Sequence, residues 1–218
     1  MAKKRVIFYV DGFNFYYGLK GIVKLKPDWR KFYWINFNEL LNQFVKEDEE
    51  LVLVRYFTAR PKNIGKTVRQ NVLMDVNKKI NGDKLKIHYG RYSDKTMICR
   101  ASQGCGKQYM HWEEKETDVN LAVKMIEDCY NNICDKVVLV SADSDFLPPL
   151  RLIKNIHKDV DQMILFPPTQ FASPLQNFGC TVVDMGGYKP RWNKSILEDE
   201  VMIGEKKYIK PIEWNLKI

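Results

Sequence analysis

Val137-Val138-Leu139-Val140-Ser141-Ala142-Asp143-Ser144-Asp145 carries the chain from an unbroken apolar run into a short acidic loop. Four consecutive aliphatic residues, with no polar position for either face, mark a strand covered on both sides, the pattern of a parallel sheet. Pro148 and Pro149 follow, and proline is tolerated only in the first turn of a helix, so a helix is predicted from about Asp145 or Phe146 to His157. The same order occurs earlier in the chain. Val6 to Val10 is apolar on both faces and stops at Asp11-Gly12, and Leu51 to Phe57 forms a second such run. Between them, Phe37, Leu40, Leu41, Phe44 and Val45 are spaced for one helical face.

Working outward, Ile64, Val68, Val72, Leu73, Val76 and Ile80 predict an amphipathic helix ended by Asn81-Gly82. Leu85, Ile87 and Tyr89 alternate with polar residues, which suits a strand at a sheet edge. From Gly90 to Trp112 the pattern dissolves, and a hairpin or loop insertion near residues 90–112 is expected. Thr117 can cap a helix whose buried face would be Val119, Val123, Ile126 and Tyr130. Met163 to Phe166 and Thr181 to Val183 supply two more strands around a helix near residues 171–177. Strands alternating with helices predict an α/β fold, a doubly wound, mostly parallel sheet with helices on both faces. Residues 1–186 are read as one domain, with residues 187–218 as a basic tail packed on it or extending it.

The chain has 218 residues, 45% of them hydrophobic and 28% charged, with a net charge of +8. That length can bury roughly 70% of the unfolded surface without disulfide support. No apolar run approaches the ~20 residues of a membrane span, so no membrane partner is expected. The opening Met-Ala-Lys-Lys-Arg runs into an apolar stretch too short for a signal peptide, and a cytoplasmic location is the expectation. Cys99, Cys105, Cys129, Cys134 and Cys180 are odd in number and irregularly spaced, as befits reduced thiols. Cys99 and Cys105, with His88 and His111, lack a zinc-ligand spacing. The positive charge raises the prospect of a polyanionic partner through phosphate attraction.

In open parallel sheets, ligands gather beyond the carboxyl ends of strands at the point where crossovers diverge. Asp11 and the pair Asp143 and Asp145 end strands, and Asp118 opens the helix feeding the second of them. Each could be a plain helix cap or dipole partner. Together, if the first and fourth strands are neighbours, they would face one crevice, where their repulsion calls for a divalent cation. Oxygen-only ligands favour Mg²⁺ or Mn²⁺. Basic and aromatic residues interleave at Arg60, Lys62, Lys66 and Arg69 and again around Tyr89, Arg91 and Tyr92. With Lys115 and Ser141 these are the expected nucleic-acid contacts, tyrosines stacking bases of a single strand. A solvated face of snorkelling lysines is the plainer alternative.

Asp11-Gly12-Phe13-Asn14, Lys115-Glu116-Thr117-Asp118-Val119-Asn120 and Ser141-Ala142-Asp143-Ser144-Asp145, in that order, resemble the NYN domain of the PIN-like nuclease superfamily. Lys210 to Trp214 is similar to the tails of bacterial members. Ala142 departs from the family pattern, which has Gly there. The resemblance implies a PIN-like, Rossmannoid fold and a metal-dependent ribonuclease acting on RNA. Asp11, Asp118, Asp143 and Asp145 would be its catalytic and metal-binding acids, with Asn14 beside them. Cleavage would leave a 5′-phosphate and a 3′-hydroxyl. A homodimer stays open as an assembly. Two rivals read the same residues differently. A phosphatase of the haloacid dehalogenase type needs a second Asp two residues after the first, where Phe13 stands. A non-catalytic RNA-binding or scaffolding protein would keep the fold without turnover. A dinucleotide-binding dehydrogenase is disfavoured, because no Gly-x-Gly-x-x-Gly follows the first strand.

Overall fold

A computed structural model describes residues 2–99 and 105–215. Six parallel strands form the central sheet: β1 (Lys4–Asp11), β2 (Glu49–Thr58), β3 (Leu85–Tyr89), β6 (Lys136–Val140), β7 (Asp161–Phe166) and β8 (Thr181–Asp184). Their spatial order is β3-β2-β1-β6-β7-β8. The chain winds outward from β1 to one edge, returns to β6 and winds to the other, so the order reverses between β1 and β6. These two strands pair in parallel from Val6 with Lys136 to Val10 with Val140. The expected edge strand, β3, is at an edge.

Alternation along β1 builds two cores. Val6, Phe8 and Val10 face one, packed with Phe15, Leu19, Ile22 and Val23 of α1 (Gly12–Leu25) and Leu40 and Leu41 of α2 (Phe37–Asn42). Ile7 and Tyr9 face the other, with Leu121, Met125 and Cys129 of α4 (Thr117–Tyr130) and Leu150 and Ile153 of α5 (Leu147–Ile156). Each such large apolar side chain contributes about 1.5–3 kcal/mol on burial. The remaining helices are α3 (Ile64–Asn81), α6 (Ser173–Gln176) and α7 (Lys189–Lys194).

Three local expectations are corrected. The helix predicted around residues 37–45 is the six-residue α2, and most of the first crossover is the 14-residue α1. Aromatic residues at 13, 15, 16 and 17 obscure its spacing, yet Phe15, Leu19, Ile22 and Val23 keep helical periodicity. Most of the expected buried face of α4 is its solvent face: Val119 is 66% exposed and Tyr130 75%, because Leu121, Met125 and Cys129 turn inward, and of the expected set Ile126 packs against the core. On α3 the C-terminal half of the expected stripe holds, with Val76 buried and Val72 and Leu73 packed against the core, whereas Ile64, Val68 and Ile80 are exposed and Met74 and Asn77 are buried beside it. Asn77 is tolerated there because it accepts a hydrogen bond from Phe37 N and donates to the Ile35 and Leu73 carbonyls.

The insertion is a hairpin, β4 (Arg91–Ile98) and β5 (Gln108–Lys115), paired antiparallel with Arg91 opposite Lys115. The stretch beyond Gly186 holds α7, whose Trp192 is fully buried and stacks on Phe15, and a second hairpin, β9 (Glu200–Ile203) and β10 (Lys206–Ile209). No helix among the described residues is long and apolar enough to cross a membrane.

Candidate active site

Asp11 ends β1 and caps α1. Its Oδ1 accepts from the amides of Phe13 and Asn14 at 3.1 and 3.0 Å, and its Oδ2 accepts from Ser141 Oγ at 2.9 Å. The helix must start immediately after the strand, and Gly12 permits it: a Cβ there would lie 2.5 Å from Phe57 O. Across the sheet reversal, Ser141 Oγ accepts from Asp143 N at 3.0 Å, Asn14 Oδ1 accepts from Ala142 N at 3.1 Å, and Asp143 Oδ1 accepts from Asp145 N at 2.9 Å. The loop after β6 is thereby tied to the end of β1 through side chains of both motifs.

Asp118 arrives by a different route. Glu116 takes a left-handed backbone, φ 80°, which turns the chain from β5 into α4. The α4 start has no side-chain cap from Glu116, and Thr117 does not serve as the cap. Instead Glu114 accepts from Thr117 N at 3.0 Å and from its hydroxyl. This places Glu114 and Asp118 on one crevice of about 250 Å³ with Asp11, Asp143, Asn14 and Tyr17. Asp145, exposed, is not among the residues lining it, although its charge reaches Asp118. Glu114 is the acid that sequence reading missed; it sits outside the motifs, one of two adjacent glutamates at the end of a hairpin strand.

The electrostatics follow from this crowding. Burial and then the charges of Asp11, Glu114, Asp143 and Asp145 push the Asp118 carboxyl up to about 6. Burial also raises Asp11, against the opposing pull of the Asn14 amide and the Ser141 hydroxyl. None of the ion pairs among the described residues includes Asp11, Asp118, Asp143 or Asp145. The donors fit a hard divalent cation in kind: all oxygen, mutually repelling and free of protein cations. As the side chains stand, no three His, Cys, Asp or Glu groups among the described residues close into a metal-holding cluster. No histidine lines the crevice. His88 stacks on Phe57, and burial with the Arg55 charge holds it down at about 4.

The basic residues divide. Lys62, Lys66 and Arg69 line a cavity of about 600 Å³ that shares Phe13 and Tyr17 with the acidic crevice. Arg60 faces a separate hollow beside Tyr89. Arg91 pairs with Glu116 and Lys115 with Glu113 at the root of the hairpin. Ser141 is fully buried with its hydroxyl engaged by Asp11 and Asp143 N, so it positions the acids and is closed to a nucleic-acid contact.

Among known proteins, residues 5–185 match the family model described as NYN domain. The chain is 25% identical over 197 residues to 6-hydroxy-3-succinoylpyridine 3-monooxygenase HspA of Pseudomonas putida, an overlap of 75% of this chain and 59% of that protein. The chain thus spans little more than half the length of this curated relative. The crystal structure of VPA0982, a protein of unknown function from Vibrio parahaemolyticus, superposes with a TM-score of 0.59 at 16% identity, covering 90% of this chain and 98% of the other. That likeness concerns the fold.

Proposed function

This chain belongs to the NYN domain family, and on that premise we propose that it is a metal-dependent ribonuclease cleaving phosphodiester bonds of single-stranded RNA at the acidic crevice. The observation that carries the reading is the convergence of Asp11, Asp118 and Asp143 where the sheet order reverses, with no ion pair to any of them among the described residues. A bound Mg²⁺ or Mn²⁺, held by Asp11 and Asp143 with Asp118 and Asp145 directly or through water, would supply an activated water and neutralise charge on the phosphate. The chain's own residues set the geometry. Ser141 and the two amides of α1 fix both oxygens of Asp11, and Asn14 holds the Asp143 loop against it. Lys62, Lys66 and Arg69 attract the strand from the adjoining cavity. We take residues 1–186 as the nuclease unit, with the remainder packed on it, and the cytoplasm as its compartment. The oxygenase chemistry in the name of the Pseudomonas relative is not carried over, since this chain spans 59% of that protein.

The test uses labelled single-stranded RNA and DNA with Mn²⁺, Mg²⁺ or EDTA. RNA is expected to be cut to 5′-phosphate products with metal, and not in EDTA. Asp143→Asn should lower the rate by about a hundredfold or more, because losing even an outer partner of a metal ligand costs ~10–100-fold. Undiminished metal-dependent cleavage by a pure Asp143→Asn protein would sink the assignment. RNA binding without turnover would favour the scaffolding alternative.

A further inference from the structure

The cavity beside the crevice has walls that phosphate attraction alone does not call for. At about 600 Å³ it falls in the ~300–1,000 Å³ range of small-ligand sites. An aromatic path starts at Tyr17, which lines the crevice as well, and leads along it. Ring centroids are 5.4 Å apart from Tyr17 to Tyr16, 6.0 Å from Tyr16 to Tyr33 and 5.9 Å from Tyr33 to the stacked Trp214. Trp112 of the hairpin, 42% exposed, also lines the cavity, with Lys62 Nζ 4.2 Å from its ring centroid. Exposed rings beside lysines and arginines are the means by which proteins stack unpaired bases while holding the backbone.

Gln70 also lines the cavity, its Nε2 donating to Thr58 Oγ1 at 3.0 Å and to the Ala59 carbonyl at 3.3 Å. Arg69 pairs with Glu213 at 2.6 Å, an exposed pair that a phosphate can displace.

From these observations we infer that the cavity is a nucleobase seat, taking one unstacked base of the RNA strand beside the phosphate held at the acids. The inference rests on the ribonuclease reading and deepens it: the substrate must offer an unpaired base flanking the cut. A duplex, its bases stacked and paired, cannot fill this seat.

The experiment measures binding of short single-stranded RNA in EDTA by fluorescence anisotropy, with each base in turn removed to leave an abasic sugar-phosphate. The wild-type protein should lose roughly 10-fold in affinity at one position and little at the others. Trp112→Ala, which removes an exposed ring and no core contact, should lose a similar factor on intact RNA and nothing further at that abasic position. Equal binding at every abasic position, or the same loss by Trp112→Ala on intact and abasic strands, overturns the seat. Cleavage with Mn²⁺ is read separately. Base-independent binding with intact cleavage removes the seat and leaves the nuclease, whereas base-dependent binding without cleavage does the reverse.

Discussion

Asp118 shows what the crevice demands of a single residue. Its carboxyl is raised to about 6 in the folded chain, by burial first and by four neighbouring acids after that. A folded pKa above the unfolded one means that the native state binds the proton more tightly. Ionised Asp118 therefore destabilises the metal-free protein above pH 6, and that penalty is relieved as pH falls through about 6 toward the ordinary value of 3.8. Asp118→Asn should accordingly melt higher than the wild type at pH 7 in EDTA, and the difference should shrink steadily toward pH 4. Divalent cation should reverse the order: at a hundredfold over its dissociation constant Mn²⁺ adds about 2.7 kcal/mol to a protein with an intact site, and less to the variant. Melting curves at several pH values, with and without Mn²⁺, check both halves. A variant no more stable than wild type at pH 7 in EDTA would show that the carboxylates do not repel.

At the scale of the element, α4 combines a start at the acidic crevice with a buried anchor. Asp128 is 3% exposed at the side chain, accepts from Arg55 Nε and Nη2 at 2.6 and 2.7 Å, and accepts from Tyr9 OH at 2.8 Å. This fastens the helix to β1 and β2 and so fixes where Asp118 begins. Asp128→Ala leaves the Arg55 guanidinium buried without its partner, and denaturant titration should register a loss of about 3–5 kcal/mol. The same helix explains the limits of sequence reading. The strands were legible because Val6 to Val10 and Val137 to Val140 have no polar face to misplace. On α4, Val119, Val123 and Tyr130 form an apolar stripe that is exposed, while the buried stripe contains Asp128, intelligible only with Arg55 from a strand 73 residues earlier in the chain. Asp11, Asp118 and Asp143 could be found because parallel strands deliver their carboxyl ends to one edge. Glu114 and the aromatic cavity depend on the hairpin bringing Trp112 and Glu114 to the same hollows as Tyr17, which no local pattern announces.

Across the whole molecule, whose net charge is +8, the proposed function assigns the acids and the bases to separate tasks. The acids hang from strand and helix ends, whereas Lys62, Lys66 and Arg69 belong to the loop and helix after β2, on the far side of Phe13 and Tyr17. Replacing these three with alanine should weaken binding to every single-stranded sequence alike. Each phosphate contact on a single strand contributes about 0.7 to the slope of log affinity against log salt, so three full contacts would flatten it by about 2. Arg69 is already partly neutralised by Glu213, and the expected change is closer to that of two contacts, about 1.4. Metal-induced stabilisation should persist in this variant, since Asp11, Asp118 and Asp143 do not line the cavity that the replaced residues occupy. Asp143→Asn should do the opposite, keeping or slightly raising RNA affinity in EDTA by removing a negative charge from beside the phosphate path. Affinity measured over a range of salt concentrations decides the matter: an unaltered slope in the triple variant would place the RNA track on another face of the protein.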